Sequence, residues 1–139
     1  MIILEGTDAV GKSTVINNLK EYNIQDRDKY ISSLFDFNIS LNTRVTKLYE
    51  YLNNHYNNII FLINNDKDEL ERRINLREKI DEYDKYTYLY NLMYLKTYLY
   101  MEYNNMLLNK LYMIDCTNLN EEQQIKKVKK LIDNRIKVN

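Results

Sequence analysis

The chain alternates between short, wholly apolar runs and longer stretches in which apolar residues recur every three or four positions. Residues 1–5 run Met1, Ile2, Ile3, Leu4 and stop at Glu5, the pattern of a strand buried on both faces. A helix is predicted from 13 to about 22, carrying Val15, Ile16 and Leu19 on one face, and a short polar strand end follows at 23–28. Residues 42–56 form a clear amphipathic helix with Val45, Leu48, Tyr49, Leu52 and Tyr56 on its stripe. A second buried strand spans 58–63, bounded by asparagines, and a charged helix runs from 67 to about 80. A long Tyr/Leu/Met helix covers 86 to about 110, a last strand 111–115, and a closing helix 120–137 turns Ile125, Val128, Leu131, Ile132 and Ile136 inward.

Strands that are continuous apolar runs, each followed by a helix, predict an α/β fold: a small, mainly parallel sheet of about four strands flanked by helices. The 139 residues suit one domain, 1–139, with no repeat or linker. A domain of this size buries roughly two-thirds of its unfolded surface, so the core needs no metal or disulfide. The single cysteine, Cys116, is read as a small packed residue.

Composition adds three restrictions. Twenty basic residues balance twenty acidic ones, which argues against a nucleic-acid partner held by charge alone. No apolar stretch approaches the ~18 residues of a membrane span, so no membrane partner is expected. The opening residues lack a basic leader, which predicts a cytoplasmic chain. Asn, Ile, Lys and 14 Tyr crowd the sequence while Pro is absent, an A/T-rich coding bias; were the genome viral, the compartment would be the host cytoplasm. Glycine occurs only twice, at Gly6 and Gly11, and survives there because no side chain fits.

Those glycines frame the main chemical signal. Gly6, Thr7, Asp8, Ala9, Val10, Gly11, Lys12 and Ser13, followed by Thr14, match G-x-x-x-x-G-K-[ST] at every fixed position, between a strand and a helix start. Phosphate oxygens need several convergent backbone N–H groups, which a glycine-hinged loop at a helix N-terminus provides. Lys12 supplies a mobile charge for the β- and γ-phosphates of ATP, and the Ser13 hydroxyl is a ligand for Mg²⁺. The motif predicts a three-layer P-loop NTPase fold. Guanine-reading and switch motifs are missing, and the strand at 58–63 ends in Asn64-Asn65 with Asp66 a poor stand-in for a motor ATPase carboxylate.

Other residues narrow the class. The opening Leu4-Glu5-Gly6-Thr7-Asp8 with the loop that follows resembles the phosphate loop of thymidylate kinases, which commonly begin Glu-Gly-x-Asp. The segment from Arg73 to Asp84, with Arg73 and Arg77 four apart and Arg72 adjacent, resembles that family's lid, here about 72–85. Residues four apart share a helix face, so the two arginines can close over a transferring phosphoryl group. The segment 25–34 is similar to the family's Asp-Arg-Tyr region, with either Asp26-Arg27 or Asp28-Lys29 as the acidic–basic pair. Either pair can orient the attacking group and hold an acceptor phosphate. The segment 112–118 is similar to the stretch that lies near adenine in that family. The family's strand ending Thr-Arg-Glu-Pro, and the helices that help contact thymine, have no counterpart.

The resemblance implies an ATP- and Mg²⁺-dependent nucleotide kinase of nucleotide biosynthesis, transferring phosphate to a deoxynucleoside monophosphate, dTMP above all. Lys12, Arg73, Arg77 and Asp28 would act in catalysis, Asp8, Asp26, Arg27 and Lys29 would hold the acceptor, and Asp8 would meet the sugar 3′-hydroxyl. Two other readings stay open: a deoxynucleoside kinase, and a regulatory nucleotide-binding protein that kept the donor loop. Simpler roles compete at several positions. Arg73 and Arg77 can pair with Glu69 or Asp81, Asp26 and Asp28 can serve turns, and His55 fits a surface or boundary residue. Tyr86, Tyr88, Tyr90, Tyr94, Tyr98, Tyr100 and Tyr103 fit packing, including a face for a homodimer. Lys126, Lys127, Lys129 and Lys130 read as a solvated face.

Overall fold

The computed structural model describes residues 1–77 and 84–136. Four strands, β1 (Ile2–Glu5), β2 (Ile24–Asp26), β3 (Asn58–Ile63) and β4 (Leu111–Asp115), form one sheet in the order β2-β1-β3-β4. Every pairing is parallel: Ile2 lies opposite Ile24 and Asn58, Glu5 opposite Phe61, and Ile59 opposite Leu111. The helices are α1 (Lys12–Asn18), α2 (Lys29–Ser33), α3 (Leu41–Asn54), α4 (Lys67–Asn75), α5 (Thr87–Tyr103) and α6 (Glu121–Arg135). No described helix is long and apolar enough to cross a membrane.

Strand alternation divides the core into two layers. Ile3, Ile59, Phe61, Ile63 and Leu111 face α3 and α5, where they meet Leu48, Leu52, Tyr94 and Met101. Ile2, Leu4, Ile60, Leu62 and Ile114 face the other way and pack on Val15 of α1, on Leu19 just after it, and on Val128, Ile132 and Ile136 next to or within α6. Both layers are buried, which explains why β1 and β3 read as unbroken apolar runs. The chain leaves β1 toward β2 on one side and later enters β3 on the other. The carboxyl ends of β1 and β3 therefore flank a topological switch point, where open α/β sheets form ligand crevices.

Several boundaries differ from the sequence expectations. The first helix stops at Asn18, where Leu19 leaves helical geometry (φ −128°), and a single 3₁₀ turn, Lys20–Tyr22, completes the segment. Helix α4 ends at Asn75 instead of continuing to 80, and the remaining residues of the expected lid, 78–83, lie outside the described residues. Helix α5 stops at Tyr103 rather than 110, because Asn105, Leu108 and Asn109 take left-handed conformations that asparagine tolerates best. Tyr56 falls beyond the end of α3 and is 96% exposed; Tyr51 is buried in its place and stacks on His55 at 3.9 Å. Periodicity over five residues is too short to reveal a helix, so α2 was not expected. Its start is fixed by Asp28, whose carboxylate accepts from the Ile31 N–H at 2.9 Å.

Buried polar groups fasten the pieces together. Arg44 in α3 donates to the carbonyls of Leu34 at 2.9 Å and Ile39 at 3.0 Å, closing the turn between α2 and α3. Beyond β3, the Asn64 N–H donates to the Asn91 side chain at 2.8 Å, and Asn91 donates to Asn65 at 3.2 Å, tying α5 to the end of that strand. Asp66 receives a bond from the Glu69 N–H at 3.1 Å and so caps α4. The capping box of Asn120 and Gln123 starts α6.

Candidate functional site

The loop from Gly6 to Gly11 leaves the carboxyl end of β1 at the switch point. Gly6 (φ 154°) is pressed against β3, where a Cβ would come within 2.7 Å of the Leu62 carbonyl oxygen. Gly11 (φ 104°) lies against α6, where a Cβ would come within 2.6 Å of the Gln124 Nε2. Gly6 thus stands where a side chain does not fit, as its scarcity suggested, while at Gly11 a left-handed φ and the movable Gln124 amide disfavour one. Ala9 is also left-handed at φ 68°, so the backbone curls tightly ahead of α1. Gln124 is buried in α6 and donates to the Val10 carbonyl at 2.9 Å, bracing the outside of the curl.

Lys12, the first residue of α1, folds into this curl. It is 7% exposed, and its ammonium donates to the carbonyls of Gly6 at 3.0 Å and Thr7 at 2.9 Å. Burial, helped by the positive charge of Arg27, lowers its pKa to about 8. The loop therefore holds a cation whose charge is poorly solvated and which an anion would restore.

Two cavities open beside the loop. The larger, about 620 Å³, is lined by Lys12, Ser13, Thr14, Asp26, Arg73 and Gln124 among others, and it reaches the start of α6 at Leu119 and Glu121. The smaller, about 250 Å³, is walled by Ser32, Phe35, Thr87, Tyr90 and Tyr94. Phe35 and Tyr94 stack at 3.8 Å between ring centres. Asp8 and Arg27 line both cavities and form an ion pair at their junction. Arg27 reaches this position from a left-handed backbone (φ 62°) just after β2, with its N–H bonded to Leu4 O at 3.0 Å.

The two arginines four apart converge here. Arg73 donates to the Ala9 carbonyl at 3.0 Å and to Glu69 at 2.9 Å, while the Arg77 guanidinium lies 3.9 Å from the second Asp8 oxygen. Arg72 instead forks onto Glu69 at 2.9 and 2.7 Å, and these two arginines hold the Glu69 carboxyl down at about 2. Of the neighbours Arg72 and Arg73, the second is the one that contacts the loop. Asp81 lies outside the described residues.

The acidic–basic alternatives separate in space. Asp26 and Arg27 both line the larger cavity, whereas Asp28 caps α2 and Lys29 is exposed, and neither lines either cavity. Three contributors were not singled out from the sequence. Glu5 is fully buried and accepts from the Asp28 N–H, the Ser32 hydroxyl and the Tyr94 hydroxyl. Its sequence signals are a carboxylate ending an apolar run and the glutamate of the Glu-Gly-x-Asp opening, neither of which assigns it a partner. Gln124 was visible as a polar residue four before Val128 on the inward stripe, and the Phe35–Tyr94 pair needed the tertiary fold. Cys116 is buried, with its thiol pushed up to about 12 by desolvation. The four lysines of α6 are exposed.

No protein-family model matches this chain, and no curated protein matches it either.

Proposed function

We infer that the protein is a P-loop phosphotransferase that moves the γ-phosphate of ATP to a deoxynucleoside monophosphate, most simply dTMP. The observation that carries this reading is the pair of cavities meeting at Asp8 and Arg27 beside Lys12. A protein that only binds ATP needs the larger cavity; phosphoryl transfer needs a second pocket within reach of the first. The likeness of the loop and of Arg73 and Arg77 to thymidylate kinases supports the choice of acceptor.

In this mechanism the triphosphate enters the curl and draws the Lys12 ammonium away from the Gly6 and Thr7 carbonyls onto its β- and γ-oxygens. Arg73 exchanges the Ala9 carbonyl for the moving phosphoryl group, and Arg77 supplies a second cation near Asp8. An oxygen of the acceptor phosphate attacks the γ-phosphorus, the bond to the bridging β,γ-oxygen breaks, and ADP departs with the electron pair. Arg27 holds the acceptor phosphate, and Asp8 orients the sugar. Mg²⁺ suits an all-oxygen donor set, and the Ser13 hydroxyl with the Asp26 carboxylate on the same wall fits it. Bound there with the nucleotide, it would neutralise phosphate charge. Catalysis in this class is mostly positioning, which matches a site built from backbone curvature and three guanidinium groups.

Arg27 is the one cation lining the smaller cavity among the described residues, and it is already paired with Asp8. That pairing favours, as a second reading, an uncharged deoxynucleoside acceptor. The test is turnover of radiolabelled ATP with dTMP, dGMP and thymidine as separate acceptors. Transfer to dTMP supports the first reading, transfer to thymidine alone the second, and no transfer to any acceptor rejects both.

A further inference from the structure

The smaller cavity rests on a carboxylate that phosphoryl transfer does not use. Glu5 touches only neutral donors: the Asp28 N–H at 2.7 Å, the Ser32 hydroxyl at 2.9 and 3.1 Å, and the Tyr94 hydroxyl at 3.1 Å. An ionised carboxylate only accepts hydrogen bonds, so both hydroxyls must give it their single proton. Ser32 and Tyr94 also line the cavity, and what their oxygens still offer is lone pairs. Thr7 repeats the arrangement, since it lines the same cavity and gives its proton to the Thr87 carbonyl at 3.0 Å. The hydroxyl protons of this wall are thus turned inward, beside an aromatic surface made by Phe35, Tyr90 and Tyr94. Burial raises the Glu5 pKa, and the three donors oppose that rise.

We propose that Glu5 sets the hydrogen-bond polarity of the smaller cavity, so that the cavity selects a ring-bearing ligand by its donor groups. Resting on the acceptor reading above, the ligand class is a nucleoside or nucleotide recognised through a sugar hydroxyl or a ring N–H. Glu5 is a positioning residue and meets the ligand only through Ser32 and Tyr94. In Glu5→Gln the Asp28 N–H, which cannot rotate, claims the amide oxygen, and the amide nitrogen faces the hydroxyls. Tyr94, which touches only that oxygen position, must then accept and turns its proton into the cavity, while Ser32 accepts from the amide and keeps the amide oxygen within reach at 3.1 Å.

Two measurements test this. Infrared difference spectra of wild type minus Glu5→Gln at neutral pH should show a carboxylate stretch; a protonated carbonyl band in its place overturns the proposal without touching the kinase reading. Calorimetric titration then compares dTMP with its 3′-deoxy and N3-methyl analogues. Wild type should bind dTMP about tenfold or more tightly than at least one analogue, the size expected when a buried acceptor loses its donor. In Glu5→Gln that ratio should collapse toward one while ATP still raises the melting temperature. Should Glu5→Gln not fold, Tyr94→Phe removes one hydroxyl alone and should compress the same ratio. Equal binding of all three ligands, an unchanged ratio in the variants, or no binding of any of them overturns the proposal. Selectivity that persists while ATP fails to bind rejects the kinase reading instead.

Discussion

Loading ATP onto the free protein should consume protons, and the position of Lys12 says how many. Its pKa of about 8 comes from burial in the curl and from Arg27, with only carbonyl oxygens as partners. A phosphate charge about 4 Å away, at an effective dielectric near 20, is worth about 4 kcal/mol, enough to return the ammonium to its ordinary range or above. From pKa 8, about three-quarters of the lysine is neutral at pH 8.5 and about a tenth at pH 7. Binding should therefore take up about 0.7 proton at pH 8.5 and about 0.1 at pH 7. Above pH 8 the phosphates are fully ionised and do not blur the count. Calorimetry in buffers of different ionisation enthalpy reads the uptake as a slope. Lys12→Arg keeps a permanent charge, so its uptake should vanish at both pH values. Uptake at pH 8.5 that stays near zero in wild type, or that is equal in the arginine variant, refutes the description of Lys12.

Three other outcomes follow from the same geometry. Because the folded pKa of Lys12 lies below the unfolded one, the unfolded chain binds more protons between pH 8 and 10.5, and stability should rise with pH across that window. Denaturant unfolding should show the rise in wild type, by at most about 3 kcal/mol, and not in Lys12→Met. Gly6→Ala forces a Cβ onto the backbone of β3 and should cost about 2 kcal/mol or more, whereas Gly11→Ala meets a movable Gln124 and should cost less, as read by the same unfolding. Arg73→Ala should lower turnover about 100-fold, while Arg72→Ala, which is held on Glu69, should change it about threefold or less in the same assay.

Much of the fold was legible because the central strands, β1 and β3, are short and buried on both faces. The strands at 58–63 and 111–115 coincide with β3 and β4, and the count of four strands holds. Helix ends were less legible where local chemistry competes with periodicity. Asparagine ends α5 early by tolerating left-handed backbone, and the apolar pattern at 104–110 gives no warning of it. The loop was readable residue by residue, down to the steric need for Gly6. Arg27 and Asp28 could not be separated in the sequence, since both stand beside a residue of opposite charge; backbone conformation decides that one reaches Asp8 and the other caps α2. Glu5 and Gln124 stand out locally as polar residues on apolar stretches, but their partners, like the Phe35–Tyr94 stack, join residues far apart in the chain, which no local pattern encodes.

Helix α5 is pinned along its first two turns: at Thr87 by the loop, at Asn91 by the end of β3, and at Tyr94 by Glu5. Sliding or tilting it would break three separate anchorages at once. Around an acceptor, α5 is therefore the stationary jaw against which the ligand is held.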